Sequence, residues 1–163
     1  MKPSVYVETS VLSYLAARPS RDLLIAAHQQ VTHEWWGLAR KQFALCVSEV
    51  VLDEASEGDP EAAARRLELV GELPVLDFTD EVRPLAFAYQ RRVGLPDEAR
   101  VDLTHVALAV VHETDYLVTW NCRHIANAQL IRRLNEVNQQ LDRFMPLIVT
   151  PEGFMDIVSG EKP

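Results

Sequence analysis

Apolar positions recur along this chain with two different periods. Five short apolar runs rich in β-branched residues, at 4–7, 44–47, 74–78, 116–120 and 147–150, predict strands. Between them the spacing turns helical. Leu24, Ala27, Val31, Trp35 and Leu38 recur at steps of three and four, and Leu130, Leu134, Val137 and Leu141 do the same within 127–141. Both segments predict long amphipathic helices. Val82, Leu85, Ala86 and Tyr89 mark another, opened by Thr79 as its N-cap with Asp80 and Glu81 in its first turn. Asp59-Pro60-Glu61 and Thr150-Pro151-Glu152 each place a capping side chain before a proline at the first helical position, which predicts two further helix starts. Strands alternating with helices imply an α/β domain, a parallel sheet with helices on both faces. In such sheets ligands bind beyond the carboxyl ends of the strands, where the strand order reverses.

Composition narrows the class. At 163 residues and 18.4 kDa the chain is long enough to bury one core, so one domain over 1–163 is expected. Hydrophobic residues at 48% and charged residues at 25% exclude disordered, collagen-like and low-complexity chains. The longest apolar run, 106–111, is far short of the ~18 residues of a membrane span. Only Lys2 is basic at the N-terminus, and Pro3 and Glu8 interrupt any signal-like stretch, so a cytoplasmic location is expected. Cys46 and Cys122 have no zinc spacing and no disulfide framework, and Cys46 is expected to fill core space. The net charge of −8 disfavours a non-specific nucleic-acid binder, although residues 1–46 hold five Lys/Arg against three Asp/Glu. A local basic rim and a carboxylate cluster kept for a metal both fit that balance.

Four oxygen-bearing side chains fall near the carboxyl ends of different elements. Glu8 follows the first strand directly, with Thr9 and Ser10 beside it; either hydroxyl is a candidate cap for a helix over 11–17. Ser48 is placed to cap a helix after the second strand, and Glu54 lies six residues beyond it, far enough to turn its carboxylate back toward the strand ends. Asp102 shares a helix face with Val106 and Ala109 in an otherwise apolar segment; a carboxylate there needs a partner, and His105 is the candidate three residues on. Asn121 follows the fourth strand, and Arg123, His124 and Asn127 open a helix where an anion could bind. Taken singly, each of these also reads as an ordinary cap or solvated charge. Together, converging oxygens without thiolates suit a hard cation such as Mg²⁺ or Mn²⁺, the arrangement of metal-assisted phosphodiester hydrolysis. No nucleophile elbow, GxGxxG or Walker sequence is present.

The segments VYVETSVLSYL at 5–15, SEVVLDEASEGDPEAAARRL at 48–67, LPDEARVDLTHVALAV at 95–110 and DYLVTWNCRHIANA at 115–128 give the resemblance. In this order they resemble a PIN-domain protein, and in particular the VapC-like ribonuclease toxins of type II toxin–antitoxin systems. The resemblance covers nearly the whole chain. It implies a PIN-like three-layer α/β/α sandwich with a central parallel sheet of about five strands. It further implies that Glu8, Glu54 and Asp102 hold Mg²⁺ or Mn²⁺. Asn121 stands where the family carries a fourth acid, and Glu8 where it usually carries Asp, so the site has three carboxylates and its first acid is one methylene longer. Thr9 and Ser10 match hydroxyls that steady the first acid, and Thr119 the hydroxyl before the fourth position.

The reaction so implied is metal-dependent RNA cleavage, by a toxin held silent by a co-expressed antitoxin. RNA contacts are expected from Arg123, His124, Arg18 and Arg21, with Arg40 a further candidate. A homodimer is implied, with an antitoxin helix beside the active site, and the helix carrying Trp35 and Trp36 offers a surface for either contact unless the tryptophans are core. Two other classes remain open. One is a PIN-like binding or regulatory module without catalysis, favoured by Asn121 and the acidic charge. The other is a Mg²⁺ enzyme acting on a small phosphorylated substrate, which the lack of a phosphate-cradling glycine loop disfavours.

Overall fold

A computed structural model describes residues 1–160. One or more helices follow each strand: β1 (Ser4–Val7), α1 (Thr9–Ala16), α2 (Leu23–Gln42), β2 (Ala44–Ser48), α3 (Glu49–Ala55), α4 (Pro60–Val70), β3 (Val75–Leu76) and α5 (Val82–Val93) come first. A 3-10 turn (Asp97–Ala99) leads into α6 (Arg100–Val111), β4 (Tyr116–Val118), α7 (Ala128–Gln140), β5 (Leu147–Val149) and α8 (Pro151–Ser159). The strands form one all-parallel sheet in the order β3-β2-β1-β4-β5. On the helical layers, α5 packs on α6 and α7, α2 packs on α8, and α1 packs on α2, α3 and α4. The arrangement is the α/β/α sandwich expected from the sequence.

β1 lies at the centre of the sheet because it is apolar on both faces; Val5, Tyr6 and Val7 are fully buried. It pairs with β2 on one side and β4 on the other, so the strand order reverses between β1 and β4, and Glu8 continues β1 at that point through its amide bond to the Val118 carbonyl at 3.1 Å. α6 is apolar nearly all round, and Leu103 and all six residues from His105 to Val110 are buried. Its entry is fixed locally. Gly94 takes the left-handed conformation that ends α5 (φ 75°), and Gln90 then donates to Asp97 at 2.5 Å while Arg100 donates to both Gln90 and Asp97.

The caps at Asp59, Ser48 and Thr150 form as expected, and Asn127, at the expected helix start, caps α7 by accepting the Leu130 amide. Others differ. Thr9 and Ser10 do not cap α1; Glu8 does, accepting from the Ser10 amide, and the helix begins at Thr9. Thr79 does not cap α5 with its side chain. Its carbonyl takes the Val82 amide, α5 starts there, and Asp80 and Glu81 stay in the preceding turn. β3 and β4 are shorter than their apolar runs: the residue pairing of β3 ends at Leu76 and that of β4 at Val118.

The buried stripe of α2 is also displaced from the expected one. Gln29, Thr32, Trp35, Trp36 and Ala39 are buried, whereas Leu24 is 67% exposed. Trp35 packs edge-on to Phe154 of α8, and Trp36 is 7% exposed. The tryptophans are therefore core, which withdraws them as a partner surface. Cys46 fills core space as expected, and burial pushes its thiol up to about 11. Among the described residues no helix is long and apolar enough to cross a membrane.

Candidate metal centre

Glu8 caps α1 and is 5% exposed, so its carboxylate must be satisfied by protein. Oε2 accepts from the Ser10 amide at 3.1 Å, from the Ser10 hydroxyl, and from the Thr119 hydroxyl at 2.7 Å. Those three donors fix the side chain and leave Oε1 aimed at His105, 4.0 Å from Nε2. Ser10 and Thr119 thus steady the first acid. Thr9 serves a different one: its hydroxyl donates to Glu54 Oε1 at 2.7 Å. Glu54 reaches the site from the last turn of α3, as the six-residue offset from Ser48 predicted.

His105 joins them. Its side chain is fully buried, with Nε2 at 2.6 Å from Glu54 Oε1 and Nδ1 at 2.7 Å from the Tyr6 hydroxyl. Tyr6 in turn lies 2.7 Å from the Ser48 hydroxyl, which accepts the Val51 amide as the cap of α3. A continuous buried chain therefore runs Ser48–Tyr6–His105–Glu54–Thr9. Burial alone would lower the basicity of His105. The hydrogen bond His105 donates to Glu54 and the charges of Glu8, Glu54 and Asp102 outweigh it, and the imidazole is held above its ordinary value. Burial likewise works to raise the Glu54 carboxyl, but the bond and charge of His105, with the Thr9 hydroxyl, bring it below its ordinary value. The two shifts agree in direction: each favours the charged form, Glu54 as carboxylate and His105 as imidazolium. Burial and the nearby carboxylates push the Tyr6 phenol well up, so it stays neutral.

Asp102 does not pair with His105. It sits in the first turn of α6 and accepts at Oδ2 from His124 Nδ1 at 2.7 Å. The two side chains are 25% and 18% exposed, on the rim of the site. The reason is direction: side chains lean toward a helix's N-terminus, so Asp102 reaches the loop after β4 while His105, almost a turn later, faces the sheet. Asn121 Oδ1 accepts the His124 amide at 2.9 Å, and its own amide donates to Thr119, so it holds the 121–126 turn together. Arg123 is exposed beside Arg133 and Asn127 in a shallow hollow away from Glu8 and Glu54. Arg18 and Arg21 are exposed on the α1–α2 loop; Arg18 stands 3.8 Å from Glu61, a solvent-facing pair of little energetic weight. Arg40 lies over Trp36 at the edge of a separate hollow of about 530 Å³ between α1, α2 and α4.

Glu8, Glu54 and His105 each offer one ligand atom, and these atoms lie within 4.8 Å of one another. Two carboxylates, joined by an imidazole if His105 gives up its Nε2 proton in favour of the ion, fit a divalent ion of hard to borderline character, so the residues present suit a metal of the kind the sequence led us to expect. Sequence reasoning assigned His105 to the wrong acid, passed over Tyr6, and saw Ser48 only as the cap of α3. The signal for His105 was available: a histidine on a helix apolar all round is buried, and a buried histidine among acids takes a carboxylate partner.

No family model matches the chain, and no curated protein matches it. Among solved structures, the fold is similar to a chain of VapBC2 from Rickettsia felis, determined bound to a DNA fragment from their promoter. The TM-score is 0.59 at 16% identity, over 90% of this chain and 98% of the other. The fold inferred from the four sequence segments, a PIN-like α/β/α sandwich of the VapC kind, is the fold this chain has.

Proposed function

We propose that this chain is a metal-dependent endoribonuclease, the toxin of a type II toxin–antitoxin pair. The observation that carries the reading is the gathering of Glu8, Glu54 and His105 at the reversal point of the sheet, the place where an α/β fold binds ligands. Glu8 and Glu54 would hold the ion, with Asp102, outside their cluster and bonded to His124 at the rim, as the third acid of the reading. A divalent ion there supplies Lewis-acid charge on the phosphate and a water of lowered pKa for in-line attack.

The chain's own residues do the rest. Ser10 and Thr119 lock Glu8 Oε2 in place, Thr9 locks Glu54 Oε1, and Glu54 Oε2 has no hydrogen-bond partner among the described residues. His105 offsets part of the negative charge of Glu8 and Glu54 from within the fold, which helps keep them together before an ion arrives. His124 orients Asp102, and Asn121 holds His124. Arg18, Arg21 and Arg123, with His124, are the RNA contacts of this reading. The partner it implies is an antitoxin protein, supported by the likeness to a chain of VapBC2; a homodimer and a cytoplasmic location complete the proposal.

A second reading has its own observation. His105 stands 2.6 Å from Glu54 with its charged form favoured, so part of the site's negative charge is offset without an ion, and Asn121 stands where a fourth acid is expected. On that reading the chain is a binding module without catalysis. Incubating the protein with a mixed RNA and transfer-RNA pool, in Mg²⁺ or Mn²⁺ and then in chelator, tests the two. Cutting that requires metal and disappears in Glu54→Gln and Asp102→Asn supports the nuclease. No cutting together with no Mn²⁺ binding supports the module.

A further inference from the structure

The structure holds an aromatic cluster beside the carboxylates that the metal centre does not use. We propose that Tyr14, His28 and Trp120 form a stacking subsite for one base of single-stranded RNA; the proposal rests on the nuclease reading above and extends it to the substrate. Placement comes first. Trp120 lies between Thr119, which donates to Glu8, and Asn121, and its own amide donates at 2.8 Å to Ser10, the other hydroxyl holding Glu8. Tyr14 is one helical turn beyond Ser10, on the same face of α1.

The rings are arranged as a platform. The indole of Trp120 is pinned by its Nε1 donation to the Thr32 hydroxyl at 2.8 Å, and His28 stacks on it with centroids 4.3 Å apart and planes 17° from parallel. Tyr14 stands as a wall against both, 5.7 Å from Trp120 and 6.2 Å from His28. Trp120 packs against the edge of the core, and the cluster lies outside it. The tryptophans that serve the core, Trp35 and Trp36, are buried, whereas Tyr14, His28 and Trp120 are all half-buried. Among the described residues the ring nitrogens of His28 make no hydrogen bond, and no further ring lies on its outer face. A base laid there continues a stack that Trp120 and His28 have begun. Arg18 and Arg21 are exposed on the loop joining α1, which carries Tyr14, to α2, which carries His28, and are suited to the phosphates flanking a stacked base.

The test compares binding of a short labelled oligoribonucleotide with binding of an abasic ribose-phosphate chain of equal length, by fluorescence anisotropy in chelator. Cleavage by the same proteins is followed in Mn²⁺. A stacked base is worth at least about fivefold in affinity. The wild type should therefore prefer the based oligomer by that factor or more. His28→Ala should lose the preference and raise KM with kcat little changed, His28→Phe should keep it, and neither should shift the melting temperature. Equal binding of the two oligomers in a protein that cleaves RNA, or equal loss in His28→Ala and His28→Phe, overturns the subsite alone and leaves the rings to packing or to a protein partner. Absence of both cleavage and oligomer binding overturns the nuclease reading and the subsite with it.

Discussion

Two histidine–carboxylate pairs flank the site with nearly the same geometry, 2.6 Å for His105–Glu54 and 2.7 Å for His124–Asp102, yet they do different work. His105 is sealed in the core, its second nitrogen committed to Tyr6, and its charge is set by two acids and a low-dielectric surround. His124 is on the rim, fixed by an Asn121 carbonyl and one carboxylate oxygen. The buried pair is part of the fold's own stability. The rim pair orients a side chain and is cheap to change. An ion pair's contribution depends on what surrounds it more than on its length.

Removing the buried imidazole should break the comparison most visibly. His105→Ala leaves Glu8 and Glu54 facing each other without a counter-charge and the Tyr6 hydroxyl without its partner. A loss of about 3 kcal/mol is expected, read as a fall of roughly 10 °C in melting temperature. Added Mn²⁺ should return part of that loss, because it supplies the missing cation; calorimetry with and without the ion checks both. Tyr6→Phe is next. It deletes one hydroxyl between Ser48 and His105 and should cost about 1–3 kcal/mol in denaturant titration, since two buried groups lose a partner.

The pH dependence has a definite sign. His105 is raised in the folded protein, so its stabilisation is complete below the ordinary imidazole value near 6.5 and is lost as pH climbs from there through the folded value. Glu54 is lowered, so its stabilisation is complete above the ordinary carboxyl value near 4.3 and is lost as pH falls from there through the folded value. In chelator, melting temperature should therefore fall off on both sides of the interval between those two values. The alkaline limb should flatten in a His105→Gln variant. The smallest stability effect belongs to the rim: His124→Ala should cost at most about 1 kcal/mol, while weakening Mn²⁺ affinity about 10- to 100-fold by releasing Asp102. Isothermal titration separates the two readouts.

Much of this was legible in the chain. Strands buried on both faces leave unbroken apolar runs, so the alternation of β1 to β5 with helices could be read directly, as could Glu8 at the end of β1 and Glu54 past its Ser48 cap. Two features resisted. Asp102 and His105 are neighbours in sequence but lean to different sides of α6, one to a loop and one to the sheet, and only the packing angle of the helix separates them. Periodicity also chose the wrong stripe of α2, because polar residues occupy the buried one. Gln29 is buried to hold the α1–α2 loop through Ser20 and Arg18, and Thr32 to hold Trp120. A polar side chain that serves another segment is invisible to a pattern that counts apolar positions.

The central claim is that the charged cluster at the end of β1 takes a divalent ion and uses it on RNA. Mn²⁺ titrated into the wild type and Glu54→Gln near neutral pH, followed by the ion's electron paramagnetic resonance signal, tests it most directly. The account predicts saturable uptake by the wild type that Glu54→Gln loses. Uptake that is equal in the two proteins, or absent from both, would contradict it.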